Sequence, residues 1–322
     1  MLHITDELID AHVTAEDAQT ALRESFLAFG RGDAAMQARV RTESNGVKLS
    51  TLGAVIPTQG VAGAKVYTTI SGQFSFVIVL FSALDGKPLA VLDANAITRL
   101  RTAACSVIAA RQFAIPGSTT LALFGAGTQG RQHAIQLSRA FPIERILLHD
   151  PYVTADAVTE LSNACDAPVH VSSPQSAVEQ ADIVVTASRS QTPLFDGAWL
   201  KPNAFVAAIG SSLPTTRELN DTTLARASRV VVEWKPQATS EAGDIILAAK
   251  AALPDDKLIE LADALAMPAD APAPGHHGIV VYKSVGVGLE DIAIAGLAYQ
   301  RVTGSAGVSA HAPHQENRHA PR

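Results

Sequence analysis

Cysteine is scarce in this 322-residue chain, with Cys105 and Cys165 its only two. Two thiols cannot build a disulfide framework or a four-thiolate zinc site. Charge is scarce as well, at 17% of residues against roughly 25% in an average globular protein. The balance of 25 basic and 31 acidic residues, −6 overall, includes no basic run to grip a nucleic-acid backbone. Long apolar runs are also missing. The longest, residues 76–84, is far short of the roughly 20 residues that span a bilayer. The opening MLHITDELID is acidic and lacks the basic-then-apolar order of a secretory signal. The expectation is a cytoplasmic protein with reduced thiols and no nucleic-acid or membrane partner. Apolar content, by contrast, is high at 47%, and the length suits about two domains.

The pattern along the chain changes character near Asp93. Before it, Thr14 reads as the N-cap of a helix that Gly30 ends. Strand-like stretches at 47–56, 62–69, 74–84 and 89–92 follow, separated by tight turns, which suggests an antiparallel or mixed sheet. Residues 95–113 read as one Ala-rich helix stopped by Pro116-Gly117. Beyond it, apolar strands at 120–124, 145–149, 169–171, 183–186, 205–209 and 230–232 alternate with helical stretches. That alternation is the signature of a parallel sheet with crossover helices. A Pro/Ala/Gly loop at 268–278, a strand at 279–282 and a helix near 289–302 complete the ordered pattern. The tail from Gly304 reads as disordered.

The strongest local motif is Gly125-Ala126-Gly127-Thr128-Gln129-Gly130, set between a strand and a helix. That context makes it a dinucleotide-binding loop. Gly125 permits the tight turn, Gly127 lets backbone approach a pyrophosphate, and Gly130 allows helix to pack on strand. Thr128 and Gln129 open the helix, whose free N–H groups suit phosphate. Asp150 ends the next strand, where its carboxylate can accept from both adenosine ribose hydroxyls and repel a 2′-phosphate. NAD(H) is therefore favoured, while NADP(H) stays open.

The stretch Arg101-Thr102-Ala103-Ala104-Cys105-Ser106 resembles the RTAA-x-S helix of the ornithine cyclodeaminase/mu-crystallin family. Other segments resemble that family in order: Gly63-Ala64-Lys65, the glycine loop, Ala208-Ile209-Gly210 with Pro214 and Arg217-Glu218-Leu219, Ser240-Glu241-Ala242-Gly243-Asp244, and Lys283-Ser284-Val285-Gly286 with Glu290-Asp291. The resemblance implies a homodimer with an α/β fold. In it a Rossmann NAD-binding domain (117–287) is inserted between an N-terminal mixed-sheet substrate and dimerisation domain (1–116) and a C-terminal helix (288–322) that rejoins the latter. The break at Pro116-Gly117 independently sets a boundary there. The resemblance also implies a small amino or imino acid held by its carboxylate. Arg41, Lys65 and Arg101 match the family's substrate-binding cations, and Ser212 and Val285 fall in segments expected to meet the cofactor. Arg41 and Arg101 offer forked hydrogen bonds to a carboxylate. Lys65 sits in an apolar strand, an unusual place for an idle ammonium.

One departure narrows the activity. Cyclodeaminases of the family resemble one another in carrying an aspartate, their general base, two residues before the proline and a lysine two residues after it. Here those places hold Ser212 and Thr216. A hydroxyl is a poor general base near neutral pH. Mu-crystallin also carries serine there, and its family-level activity is reduction of cyclic ketimines. The first expectation is thus NAD(P)H-dependent reduction of Δ1-pyrroline-2-carboxylate to L-proline or Δ1-piperideine-2-carboxylate to L-pipecolate, with Lys65 and Ser212 nearest the chemistry. Ornithine cyclodeamination, reductive amination of a 2-oxo acid, and non-catalytic dinucleotide binding are the alternatives. Among smaller features, Glu290-Asp291 is expected to cap the last helix, 232–237 to border the cofactor cleft, and Cys105 to be core. His276-His277 offers no third metal ligand.

Overall fold

The structure, a computed structural model, describes residues 1–268 and 275–304. The expected disordered tail and the middle of the expected 268–278 loop lie outside the described residues. Strands β1 (Leu2–Ile4), β2 (Ala35–Met36), β3 (Val40–Ser44), β4 (Val47–Ile56), β5 (Val61–Ile70), β6 (Gln73–Ser82) and β7 (Pro88–Asp93) form one sheet. Its order is β1-β7-β6-β5-β4-β2, with β3 paired to β4. Only β1, against β7, is parallel; the remaining pairs are antiparallel. The second sheet contains β8 (Thr120–Phe124), β9 (Arg145–His149), β10 (Val169–Val171), β11 (Ile183–Thr186), β12 (Phe205–Ala208), β13 (Arg229–Val232), β14 (Leu258–Glu260) and β15 (Val280–Lys283). It is wholly parallel in the order β10-β9-β8-β11-β12-β15-β13-β14.

The two sheets differ in sequence texture for a physical reason. Helices cover both faces of a parallel sheet, so its strands are continuously apolar. All residues of β8, β11 and β12 are buried. The first sheet has one covered face and therefore alternates, as β4 does. Its other face presents Val47, Leu49, Val55, Ile70 and Phe81, all more than a third exposed.

The helices are α1 (Asp6–His12), α2 (Ala15–Gly30), α3 (Asn95–Phe113), α4 (Thr128–Ala140), α5 (Ala155–Cys165), α6 (Pro174–Gln180), α7 (Asp221–Arg226), α8 (Lys235–Glu241), α9 (Gly243–Ile246), α10 (Leu261–Leu265) and α11 (Gly288–Thr303). Thr14 is the N-cap of α2, as the sequence predicts, and it also forms a reciprocal capping box with Asp17. Helix α3 spans the predicted residues and is buried along most of its length. It packs against α2 and α11 on one side and α4 on the other, so it links the two sheets. Helix α11 packs on β4 and β5. Close approach is possible because Gly288 meets the backbone of Gly53, where an added Cβ would lie 2.4 Å from the carbonyl oxygen. Cys105 and Cys165 are buried free thiols. No described helix is long and apolar enough to cross a membrane.

Four strands, β1, β2, β3 and β14, are not legible in the sequence; β2 and β14 have only two and three residues. The three residues of β1 are too few to show a period. In β3, Val40 is the sole apolar residue. Its local signal is the Asn45-Gly46 turn, where both residues take positive φ (49° and 76°).

Candidate active site

Strand alternation builds one wall of the site. Register sets Lys48 beside Thr69, Ser50 beside Tyr67 and Leu52 beside Lys65, and extends these rows to Phe74, Phe76 and Ile78 on β6. Side chains two apart share a face, and all of these except Ile78 line a cavity of about 360 Å³. Thr98 and Arg101 reach it from α3, Asp291 from α11, Val285 from the preceding loop, and Ser212 from the loop after β12. Arg39 and Arg41 close it from β3 and the residues leading into it. The structure thus brings Arg41, Lys65, Arg101, Ser212 and Val285 to one cavity.

The cations are held by a chain of buried carboxylates. The Lys65 Nζ donates to Thr98 Oγ1 at 2.5 Å and to Asp291 Oδ1 at 3.1 Å. It also lies 4.5 Å from the centre of the Phe76 ring. Burial pulls the Lys65 ammonium down to about 8, with Asp291 opposing the shift. Arg101 donates through Nη1 to Glu290 Oε2 at 2.6 Å, and its Nε lies 3.4 Å from Asp291 Oδ1. Burial works against the guanidinium's charge, but Glu290 and Asp291 outweigh it. Burial likewise pushes Glu290 up to about 8, against the pull of Arg101 and with help from Glu233. Three buried carboxylates (Glu233, Glu290, Asp291) thus accompany two buried cations, Lys65 and Arg101.

Arg39 and Arg41 share one acceptor. Glu241 on α8 accepts from both, with Arg41 Nη1 to Oε1 at 2.5 Å. Arg39 is spent structurally, since it also donates to Val285 O at 3.1 Å and Gly286 O at 2.8 Å. Arg41 is 27% exposed, and its other N–H groups have no partner among the described residues.

Two expectations need correction. Glu290 and Asp291 do not cap α11: its N-cap is Val287, with no side-chain cap bond, and both carboxylates turn inward to Arg101 and Lys65. Buried cations attract them more strongly than a helix end does. Residues 232–237 line neither recess of the cofactor cleft described next. They brace the 285–286 loop from behind. Glu233 accepts from Val285 N at 3.1 Å and Gly286 N at 3.0 Å, and Gln237 donates to Gly286 O at 2.7 Å.

The glycine loop lies beside the cavity. Gly125 has φ 94°, and a Cβ there would meet Ala187 O at 2.7 Å. Gly127 caps α4, with open space where its Cβ would project. A Cβ on Gly130 would fall 1.9 Å from Gly125 O. Gln129 donates to Thr98 O at 3.2 Å, tying this loop to the helix that carries Arg101. Asp150 accepts from Ala126 N at 2.8 Å and Tyr152 N at 2.9 Å, so it faces the glycine loop. Two recesses flank the loop. One of about 620 Å³ includes Gly125, Gly127, His149, Asp150 and Tyr152. The other, of about 590 Å³, includes Gly127, Thr128, Gln129, Ile209, Gly210 and Ser212. Gly72, Phe74, Ser212 and Leu213 line both the second recess and the cavity, so one cleft runs from Asp150 to Lys65. It opens where β9 and β11 leave β8 on opposite sides, the usual ligand crevice of a doubly wound sheet. The missing Cβ atoms and the open space at Gly127 fit a dinucleotide.

Sequence reading assigned no role to Glu218, which fixes this cleft. Its buried carboxylate accepts from Thr186 Oγ1 (2.8 Å), Ser188 N (2.8 Å), Ser188 Oγ (2.6 Å) and Gly210 N (2.7 Å). One side chain therefore pins the loops after β11 and β12 together. Arg39, Thr98 and Glu241 were also unassigned. The spacing of Arg39 and Arg41, two apart beside a strand, was a usable signal for a shared face. Ser212 makes no hydrogen bond among the described residues, whereas Ser211 Oγ and Thr216 Oγ1 bond each other at 2.9 Å.

Comparison with known proteins gives a consistent result. The sequence model of the ornithine cyclodeaminase/mu-crystallin family matches residues 3–306. The ketimine reductase mu-crystallin of Mus musculus is 30% identical over 313 residues, covering 90% of this chain and 96% of the relative. A Delta(1)-pyrroline-2-carboxylate reductase of Bacillus cereus is 32% identical over 267 residues, covering 80% of this chain and 78% of the relative. The crystal structure of a probable ornithine cyclodeaminase from Bordetella pertussis Tohama I superposes with a TM-score of 0.92 at 59% identity, covering 95% of this chain and 98% of that one.

Proposed function

The chain belongs to the ornithine cyclodeaminase/mu-crystallin family, and on that premise we propose that it is an NAD(P)H-dependent reductase of small cyclic ketimine carboxylates. Δ1-Pyrroline-2-carboxylate and Δ1-piperideine-2-carboxylate are the proposed substrates, giving L-proline and L-pipecolate. The observation that carries this reading is the cavity where Arg41, Lys65 and Arg101 meet an aromatic wall, continuous with a dinucleotide cleft, beside a serine rather than a carboxylate at position 212. The two relatives named as reductases support it.

Arg101 and the unpartnered N–H groups of Arg41 grip the substrate carboxylate by charge-assisted hydrogen bonds. Lys65 adds a third donor, aimed by Thr98 and Asp291. Tyr67, Phe74 and Phe76 supply the apolar face for the ring. A reduced nicotinamide bound in the cleft supplies hydride for the C=N carbon. The imine enters protonated and becomes the amine without a further proton, so no strong acid is required at Ser212. Ser212 holds the nitrogen or a neighbouring water by hydrogen bond. Ornithine cyclodeamination, suggested by the description of the Bordetella pertussis neighbour, needs a base to deprotonate an ammonium and activate attack. No carboxylate stands at position 212 for that task.

In domain terms, we assign 1–116 with 288–322 to substrate binding and dimerisation, and 117–287 to the dinucleotide. The exposed apolar row Val47, Leu49, Val55, Ile70 and Phe81 supports a homodimer across that sheet face. Asp150 at the adenosine end supports NADH over NADPH.

The direct test is a substrate panel. NADH should be consumed with either cyclic ketimine, and less efficiently replaced by NADPH. Ornithine should release no ammonia with NAD+ alone. Ammonia release from ornithine, with no ketimine-dependent NADH loss, would sink the reading.

A pH dependence follows from Lys65. Its ammonium is protonated below about 8 and neutral above. Binding of a carboxylate ligand should therefore weaken as pH rises through about 8. Pyrrole-2-carboxylate, whose ring nitrogen does not titrate there, isolates the enzyme's own groups. Calorimetric titration should show a rising Kd with that inflection, and Lys65→Met should shrink the inflection to the share of Glu290, which burial also raises to about 8. A flat profile in the unmodified enzyme would remove Lys65 from the carboxylate clamp.

A further inference from the structure

The cleft that runs from Asp150 to Ser212 has an uneven charge. Among the residues lining its two recesses, Arg189 is the only lysine or arginine. It is exposed and makes no ion pair or hydrogen bond among the described residues, unlike Arg39, Arg41 and Arg101. In a chain with few charges, an unpaired arginine at a cleft invites a ligand explanation. Its backbone is held firmly. Glu218 fixes the preceding residue through Ser188 N and Ser188 Oγ, and Ser190 N donates to Ser188 Oγ at 3.1 Å. Arg189 lines both recesses, as do Gly127 and Ser188. The stretch it borders is thus the junction between the adenosine end and the end that opens on the cavity.

We propose that Arg189 is the counter-ion of the dinucleotide's pyrophosphate, closing over it from the side opposite the glycine loop. The proposal rests on the cofactor reading above. The glycine loop offers N–H groups and a helix end but no full positive charge. A pyrophosphate carries two negative charges, and a guanidinium fork matches its oxygens. The junction position favours the pyrophosphate over a 2′-phosphate, which would sit at the Asp150 end alone.

The test compares wild type with Arg189→Ala and Arg189→Lys by titration with NADH, NADPH, ADP-ribose and adenosine. Arg189→Ala should raise the Kd of NADH and of ADP-ribose about tenfold, the loss of one charge-assisted contact. Adenosine, which lacks phosphate, should bind within twofold of wild type, and Arg189→Lys should recover part of the loss. An unchanged NADH Kd overturns the assignment. So does an equal loss for adenosine, which would indicate a distorted cleft, or a loss confined to NADPH, which would assign the arginine to the 2′-phosphate. If wild type binds neither dinucleotide, the cofactor reading itself falls and this inference with it.

Discussion

Replacing Arg101 by alanine is expected to abolish measurable ketimine reduction and to destabilise the fold together. The guanidinium is buried against Glu290 and Asp291, and the 285–286 loop lies directly on it: a Cβ at Gly286 would come within 2.6 Å of its Nη1. Removing one member of a buried, hydrogen-bonded charge cluster typically costs about 3–5 kcal/mol. Asp291 would keep Lys65, but Glu290 would lose its ion-pair partner. Arg101→Lys separates the two effects. It keeps the charge but cannot hold Glu290 and a substrate carboxylate at once with a planar fork. Its melting temperature should stay within a few degrees of wild type. Its kcat/KM for Δ1-piperideine-2-carboxylate should fall about 100-fold, roughly 2.7 kcal/mol of transition-state binding. If Arg101→Lys retained full kcat/KM, Arg101 would be a scaffold residue and the clamp would be misassigned.

The second large effect concerns the glycine loop, where two neighbouring substitutions should fail for different reasons. Gly130→Ala would set a Cβ 1.9 Å from Gly125 O, so the loop and the start of α4 must separate. Overpacking of this kind costs about 1–3 kcal/mol, and NADH binding should drop beyond detection because the loop changes shape. Gly127→Ala meets nothing within 4 Å, so the fold should be unaffected. Its methyl group would instead stand in the recess where a pyrophosphate must approach. NADH affinity should fall at least tenfold at unchanged thermal stability. Calorimetry and thermal melts on both variants read the distinction. Unimpaired NADH binding in Gly127→Ala would argue against dinucleotide occupancy of this cleft.

Much of this architecture could be read from the residues, and the limits have physical causes. The strands of the parallel sheet are buried on both faces, so they stand out as apolar runs between helices, and α3 stands out as Ala-rich. Lys65 stands out because no other charge lies between Lys48 and Asp85, whereas Arg41 and Arg101, which have charged neighbours in sequence, stand out only through their match to the family's substrate-binding cations. Their partners did not. Glu241 lies 200 residues from Arg41, Glu290 189 from Arg101, and Asp291 226 from Lys65. Such pairings arise where β3 meets α8, α3 meets α11 and β5 meets α11, which no local period encodes. A first-turn carboxylate pair looks like a helix cap until the buried cations opposite it are known. Glu218 is hidden for the same reason: the groups that donate to it lie at the end of β11 and in the loops after β11 and β12.

The most direct measurement of the central claim follows the hydride. Incubating the enzyme with NADH deuterated at the transferable C4 position and Δ1-pyrroline-2-carboxylate should yield proline carrying one deuterium at Cα, with one NADH consumed per proline and no ammonia formed. Proline formed from ornithine with ammonia release and no net cofactor change, and no deuterium transfer to the ketimine, would contradict the reductase assignment.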